Sequence, residues 1–146
     1  MNKIEKVLAT GKTHTTFSDG ANSSRGLAIE LSSPGNPRLA HEFAAIVPHP
    51  TAEQFFAGAW SACYTAAVEL AAKNMQVTLP PNLAIDIEVD LGQTGPAYFL
   101  QARLTLRVPG LTQAVATELA HAADQICPYS KATRGNIDVV INALTA

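Results

Sequence analysis

The stretch from Gln54 to Ala72 constrains the fold most, because its 19 residues carry a single charge, Glu69. Seven alanines lie between Ala57 and Ala72, in company with Trp60, Tyr64, Val68 and Leu70. A run of this length approaches what is needed to span a membrane. Its alanines, with Gly58, Ser61 and Thr65, would make a poor span, so a buried helix is expected instead. Thr51, with Gln54 three residues later, fits a capping box, and Glu53 adds a negative charge to the first turn. The spacing predicts a helix from Thr51 to about Asn74, with apolar or small residues on every face. Such a helix must be central, since each face needs a covering surface.

Composition limits where those surfaces come from. Charged residues make up 15% of the 146-residue chain and apolar residues 47%, whereas soluble domains usually hold about 25% charged residues. Disorder needs the reverse balance and is excluded for most of the chain. One domain, residues 1–146, is expected from this length. A monomer so poor in charge would struggle to cover its own surface, which predicts a homo-oligomer with a substantial apolar interface. The net charge of −2 leaves no electrostatic footprint for nucleic acid or an anionic membrane. The segment Met1 to Lys6 mixes charges without an apolar run, so no secretory signal is expected and the protein is placed in the cytoplasm.

The rest of the chain reads mostly as strands. Turn residues at Ser18-Asp19-Gly20, Ser23-Ser24-Arg25-Gly26 and Ser33-Pro34-Gly35-Asn36-Pro37 divide the first 50 residues. Between them Leu27 to Leu31 and Arg38 to Val47 read as strands, the second stopped by Pro48-His49-Pro50. Leu83, Ile85, Ile87, Val89 and Leu91 alternate with Ala84, Asp86, Glu88 and Asp90, the pattern of a half-buried strand. A second alternating strand, Tyr98 to Val108, carries Arg103 and Arg107 on its polar face, which suits antiparallel pairing with the acidic one. Leu111 to Ile126 has helical spacing, limited by Pro128, and a last strand covers Ile137 to Ile141. This order predicts an α+β fold with antiparallel sheets around a long buried helix.

Few residues are candidates for chemistry. Cys63 and Cys127 are 64 positions apart, too far for a CxxC pair or a zinc knuckle. His14, His41, His49 and His121 show no ligand spacing with either cysteine, so neither a metal nor any other cofactor is expected. No nucleophile elbow is present. From its residue type alone, Cys63 is either a small core hydrophobe or a reactive thiol.

The local sequence carries more. Pro50-Thr51-Ala52-Glu53-Gln54-Phe55-Phe56-Ala57 through Cys63-Tyr64 resembles the N-P-E-Q-L-F-A-x-x-x-x-x-C-F segment of the organic hydroperoxide resistance (Ohr) and osmotically inducible protein C (OsmC) family. Cys127-Pro128-Tyr129-Ser130-Lys131-Ala132-Thr133-Arg134-Gly135-Asn136-Ile137-Asp138-Val139 resembles the Ohr-branch motif C-P-Y-S-x-A-T-R-G-N-I-x-V. Ser23-Ser24-Arg25-Gly26-Leu27, continuing to Leu31-Ser32-Ser33-Pro34, is similar to an early turn and strand of the same branch.

The resemblance implies an intertwined homodimer with thiol peroxidase activity towards organic (alkyl or lipid) hydroperoxides. Cys63 would be the peroxidatic cysteine, oxidised to a sulfenic acid, and Cys127 would resolve it as an intrachain disulfide. A dihydrolipoyl dithiol, carried on a lipoylated protein, would restore the thiols. Phe55, Phe56, Trp60, Tyr64 and Tyr129 could line an apolar entrance, although Phe55 and Trp60 read more readily as core. The implied activating group is an arginine held by Glu53, and a cation is needed because Cys63 lies about twelve residues from the helix N-terminus. Ser18 stands where the Ohr branch has its arginine, in Thr16-Phe17-Ser18-Asp19-Gly20. Arg38, at the position similar to the OsmC-branch arginine, is the leading replacement, and Arg25 is the next. Arg134 reads as structural. Glu53 and Cys63 would lie about 15 Å apart along one helix, so a two-fold dimer would bring Glu53 of one chain to the other chain's Cys63. The substituted Ser18 also leaves a second reading open, a non-catalytic relative that binds a small apolar ligand or a partner protein.

Overall fold

Alternating apolar and polar residues build a five-stranded sheet in the computed structural model, which describes residues 3–19, 25–34 and 50–146. In chain order the elements are β1 (Lys6–Asp19), β2 (Arg25–Ser32), α1 (Ala52–Met75), β3 (Ala84–Thr94), β4 (Ala97–Arg107), α2 (Gln113–Ile126), α3 (Pro128–Thr133) and β5 (Asp138–Leu144). Across the sheet the strands run β2-β1-β3-β4-β5. Neighbours are antiparallel except β4 and β5, which pair in parallel. The sheet is therefore mixed, where antiparallel pairing alone was expected. The chain leaves β4 through α2 and α3 before returning, and a helical crossover delivers the next strand parallel to the last. The strand expected over 38–47 lies outside the described residues.

One face of the sheet carries the helices. Ile85, Ile87 and Val89 of β3 and Leu104 and Leu106 of β4 are fully buried with Trp60, Tyr64 and Val68 of α1 and Leu119 and Ala123 of α2. The other face holds the charges in pairs. Arg107 Nε donates to Asp86 at 2.7 Å, and His14 Nδ1 lies 2.6 Å from the same carboxylate. Arg103 donates to both Glu88 and Asp90, which also accepts from Thr10 and Gln101. The expected pairing of the acidic and basic strands is present, with Glu88 opposite Arg103. β3 is more than half-buried, however. Asp86 and Asp90 are only 5% and 2% exposed because long cationic side chains lie over them.

That ladder sets a pH dependence. Burial alone would raise both carboxyls, but the bonds from His14 and Arg107 to Asp86, and from Arg103, Thr10 and Gln101 to Asp90, hold them below the usual carboxylate range. A group whose folded pKa is depressed stabilises the fold above its unfolded value, about pH 4 here, and loses that contribution as the pH falls through the folded value. Urea midpoints should therefore decline steeply below pH 4. Asp90→Asn should be less stable at pH 7 and decline less steeply in acid, and an acid limb as steep as wild type's would exclude Asp90 as a source.

The capping box forms as expected. Gln54 N–H donates to Thr51 Oγ1 at 3.2 Å, and Thr51 N–H donates to Gln54 Oε1 at 2.9 Å. At the other end Gln76, left-handed at φ 56°, donates its N–H to the carbonyls of Ala72 and Lys73. The first turn of α1 lies directly on β1. A Cβ at Gly11 would come within 2.4 Å of the Gln54 nitrogen, and this is backbone that cannot swing aside. Gly11→Ala should therefore displace the turn bearing Glu53 and cost roughly 1–3 kcal/mol or more. An unchanged melting temperature would show that β1 and α1 are not in this contact.

α1 departs from the expectation of burial on every face. Trp60, Tyr64, Ala67, Val68 and Ala71 are buried, but Phe55 is 61% and Leu70 47% exposed, and Ala59 and Ala66 are exposed beside them. An apolar stripe is left open along the helix in the single chain. α2 begins later than expected, because Thr112 caps it by accepting from the Val115 N–H. Among the described residues, no helix is long and apolar enough to cross a membrane.

Candidate active site

Cys63 lies mid-way along α1 on the face that meets α2 and α3. Cys127 sits at the junction of those two helices, closing α2 and opening α3. Its N–H donates to the Ala123 carbonyl, and its own carbonyl accepts from the Lys131 N–H. Pro128 follows at the first helical position, where its missing donor costs nothing and its fixed φ suits the turn. Gly135, at φ 81°, takes the chain out of that turn towards β5. These backbone devices fix where the Cys127 side chain emerges.

The two sulfurs are 3.1 Å apart, both as free thiols. A disulfide needs about 2.05 Å, so an approach of roughly 1 Å would close the bond. Cys127 is fully buried, whereas Cys63 is half-buried. Burial pushes the Cys63 thiol up, as expected from its surroundings, and the neighbouring Cys127 adds to the rise. Among the described residues, the one influence that lowers it is a hydrogen bond from the Tyr129 backbone N–H.

Neighbouring bonds hold the three helices together. Trp60 Nε1 donates to Ser130 Oγ at 3.1 Å, and Tyr64 Oη donates to the Ala120 carbonyl at 2.7 Å. Phe56 meets the Trp60 ring edge-on with centroids 5.8 Å apart. Burial strongly raises the Tyr64 hydroxyl, which stays neutral. Arg134 donates to both the carboxylate and the backbone carbonyl of Asp124, in keeping with its structural reading.

The sequence candidates are thus brought together only in part. Cys63 and Cys127 touch. Glu53 is ten residues up the unbroken α1, about 15 Å along its axis from Cys63. It forms no ion pair with any described residue. Arg38 lies outside the described residues. Arg25 stands opposite Asp19, and Ser18 opposite Gly26, in the β1–β2 ladder. Of the aromatics, Trp60 and Tyr64 are core, Tyr129 is 46% exposed, and Phe55 is exposed rather than core. The α3 turn and its Tyr129 amide were missed, although Pro128 just after Cys127 and Gly135 beyond Arg134 mark the two ends of a short helix. Among the described residues, no cluster of three acidic, histidine or cysteine side chains could hold a metal ion.

The OsmC-like protein family model matches residues 45–142. The chain belongs to the OsmC/Ohr family. An organic hydroperoxide resistance protein of Xanthomonas axonopodis pv. citri is 35% identical over 146 residues, covering 97% of this chain and 98% of the relative. The organic hydroperoxide resistance protein OhrA of Bacillus subtilis is 31% identical, covering 82% of each chain. Among solved structures, an organic hydroperoxide resistance protein OsmC from Legionella pneumophila superposes with a TM-score of 0.65 at 26% identity, over 90% of this chain and 96% of that one. Bacillus subtilis OhrB gives 0.63 at 28% identity, over 90% and 96%. The OsmC/Ohr match takes in Glu53, Cys63 and Cys127, while Ser18, Arg25 and Arg38 precede it.

Proposed function

We propose that this OsmC/Ohr chain is a cysteine-based peroxidase that reduces organic hydroperoxides to alcohols. The observation that carries this reading is the contact of a half-buried with a fully buried thiol, 3.1 Å apart, in a chain whose relatives are named for organic hydroperoxide resistance. The Cys63 thiolate attacks the terminal peroxide oxygen, the O–O bond breaks, and the alcohol leaves with a proton, giving Cys63 sulfenic acid. Cys127 then attacks the Cys63 sulfur, forming the disulfide and releasing water. A dithiol of the dihydrolipoyl type reduces that bond again through the more accessible Cys63 sulfur. A transient redox disulfide of this kind fits a cytoplasmic protein.

The test is a rapid-mixing comparison on reduced protein. An alkyl hydroperoxide should oxidise it much faster than hydrogen peroxide, which gains nothing from apolar contact. Dihydrolipoamide should sustain turnover better than a monothiol. Equal rates for both peroxides would contradict the substrate class, and no oxidation by either would contradict the activity and favour a binding role.

The dimer belongs to the same proposal. Phe55, Ala59, Ala66 and Leu70 leave an apolar stripe exposed on α1, and a second copy related by a two-fold would cover it. In that arrangement Glu53 serves the partner subunit's Cys63 and holds an arginine fork towards its sulfur. Sedimentation should give a dimer at micromolar concentration, and an active monomer would overturn the shared site.

Arg38 is proposed as that arginine. With burial raising the thiol and only the Tyr129 N–H opposing it among the described residues, a guanidinium would supply most of the activation. Arg38→Ala should move the pH midpoint of Cys63 alkylation upward, measured with Cys127 replaced by serine. Arg38→Lys should recover little, since an ammonium cannot bridge carboxylate and thiolate with a planar fork. An unchanged profile would transfer the role to Arg25.

A further inference from the structure

We infer that the buried Trp60–Ser130 hydrogen bond pins the α3 turn against α1 and thereby holds Cys127 within reach of oxidised Cys63. Trp60 and Ser130 are on this view positioning residues for the resolving step. The inference rests on the peroxidase reading and adds to it what decides the fate of the sulfenic acid.

The position of the Cys127 sulfur depends on where α2 and α3 dock, since Cys127 belongs to the ends of both. α2 is tied to α1 by Tyr64 Oη on the Ala120 carbonyl. α3 is six residues long and cannot hold its own conformation by propensity. Among the described residues it is bonded to α1 by Trp60 Nε1, which donates to Ser130 Oγ, and by the Tyr129 N–H, which faces the Cys63 sulfur; only the first of these joins two side chains. Both partners are interior, Trp60 at 0% and Ser130 at 2% exposure. Trp60 precedes Cys63 by three residues, so indole and thiol project from one face of α1. α1 therefore grips the short helix from two neighbouring residues, Cys63 against Cys127 and the Tyr129 N–H, and Trp60 against Ser130. The edge-on contact with Phe56 fixes the indole that makes the second grip.

The pin matters because the sulfenic acid has two exits. In the first, the Cys127 sulfur bonds to the Cys63 sulfur, the S–O bond breaks, and the hydroxyl leaves with the Cys127 proton as water. In the second, another hydroperoxide transfers an oxygen to the Cys63 sulfur, giving a sulfinic acid and an alcohol. The first exit needs the sulfurs to close by about 1 Å from 3.1 Å, and the second needs nothing from Cys127. Loosening α3 spreads the positions of Cys127 and favours the second exit.

The experiment measures the ratio of sulfinic acid to disulfide, by intact mass, after a fixed excess of cumene hydroperoxide. That ratio is independent of how fast the sulfenic acid forms, so it separates resolution from attack. Ser130→Ala and Trp60→Phe should each raise it about fivefold, the effect of losing one ordinary hydrogen bond. The double variant should raise it no further than either single variant, and Ser130→Thr, which keeps the hydroxyl, should stay near wild type. A ratio unchanged in peroxide-reactive Ser130→Ala and Trp60→Phe overturns the inference, as do effects that multiply in the double variant. If Ser130→Ala fails to fold, Trp60→Phe decides by the same ratio, since it removes the N–H donor while keeping an aromatic ring. Wild-type protein that consumes no peroxide would overturn the peroxidase reading itself.

Discussion

Cys63→Ser is expected to slow the consumption of alkyl hydroperoxide by roughly a thousandfold or more, the scale on which losing a nucleophile acts. The remaining thiol is no substitute. Cys127 is fully buried at the α2–α3 junction, so a peroxide cannot reach its sulfur without opening the helices. The fold should survive, because serine is smaller than cysteine and the half-buried position lets its hydroxyl find water. Stopped-flow peroxide consumption on variant protein with a wild-type melting temperature is the measurement. Retention of even a tenth of the wild-type rate would mean that another group attacks the peroxide.

Cys127→Ser should have an equally large effect of a different kind. The first equivalent of peroxide should still be consumed, because Cys63 and the Tyr129 N–H that faces it remain. Without a resolving thiol the sulfenic acid persists, and excess peroxide should carry nearly all of it to the sulfinic acid. Turnover with a dithiol reductant should decay within the first cycles, where wild type continues. Mass spectrometry of the Cys63 peptide reports the outcome. Unlike the pin variants, which change a ratio, this variant removes one of the two exits. Sustained wild-type turnover would show that reductant, rather than Cys127, intercepts the sulfenic acid.

Much of this architecture could be read from the residues. The Gln54–Ala72 run predicts a long helix because nothing else accommodates so many alanines, and Thr51 with Gln54 marks its start to within a residue. The acidic and basic strands give their pairing because opposite charges on facing strands attract across the ladder. Burial of Asp86 and Asp90 was less legible. Alternation locates a polar face, whereas its exposure depends on whether long side chains from the next strand fold over it. β1 is one strand of 14 residues with little apolar alternation to mark it. Its core-facing positions include Thr13 and Thr15, and Thr15 meets Ser61 of α1 through their hydroxyls. A search for apolar alternation passes over such positions.

At the site, the two cysteines were legible through the family motifs that contain them, but their contact required the fold. Sixty-four positions separate them in sequence, and three helices bring their sulfurs to 3.1 Å. The parallel docking of β5 is a consequence of how the chain returns from α2, which no local pattern encodes, whereas the turn of α3 has a local signal in Pro128 and Gly135. The open stripe of α1 carries the opposite lesson. Its residues looked buried because they are apolar, and in one chain Phe55 and Leu70 are exposed.

The most direct test of the central claim is a thiol count on fully reduced wild-type protein after one equivalent of cumene hydroperoxide. The account predicts that both free thiols vanish together and that the intact mass falls by two hydrogens. It also predicts that non-reducing peptide mapping finds Cys63 joined to Cys127 within one chain. Two thiols still free after complete mixing, or a disulfide joining two chains in place of the Cys63–Cys127 bond, would contradict it.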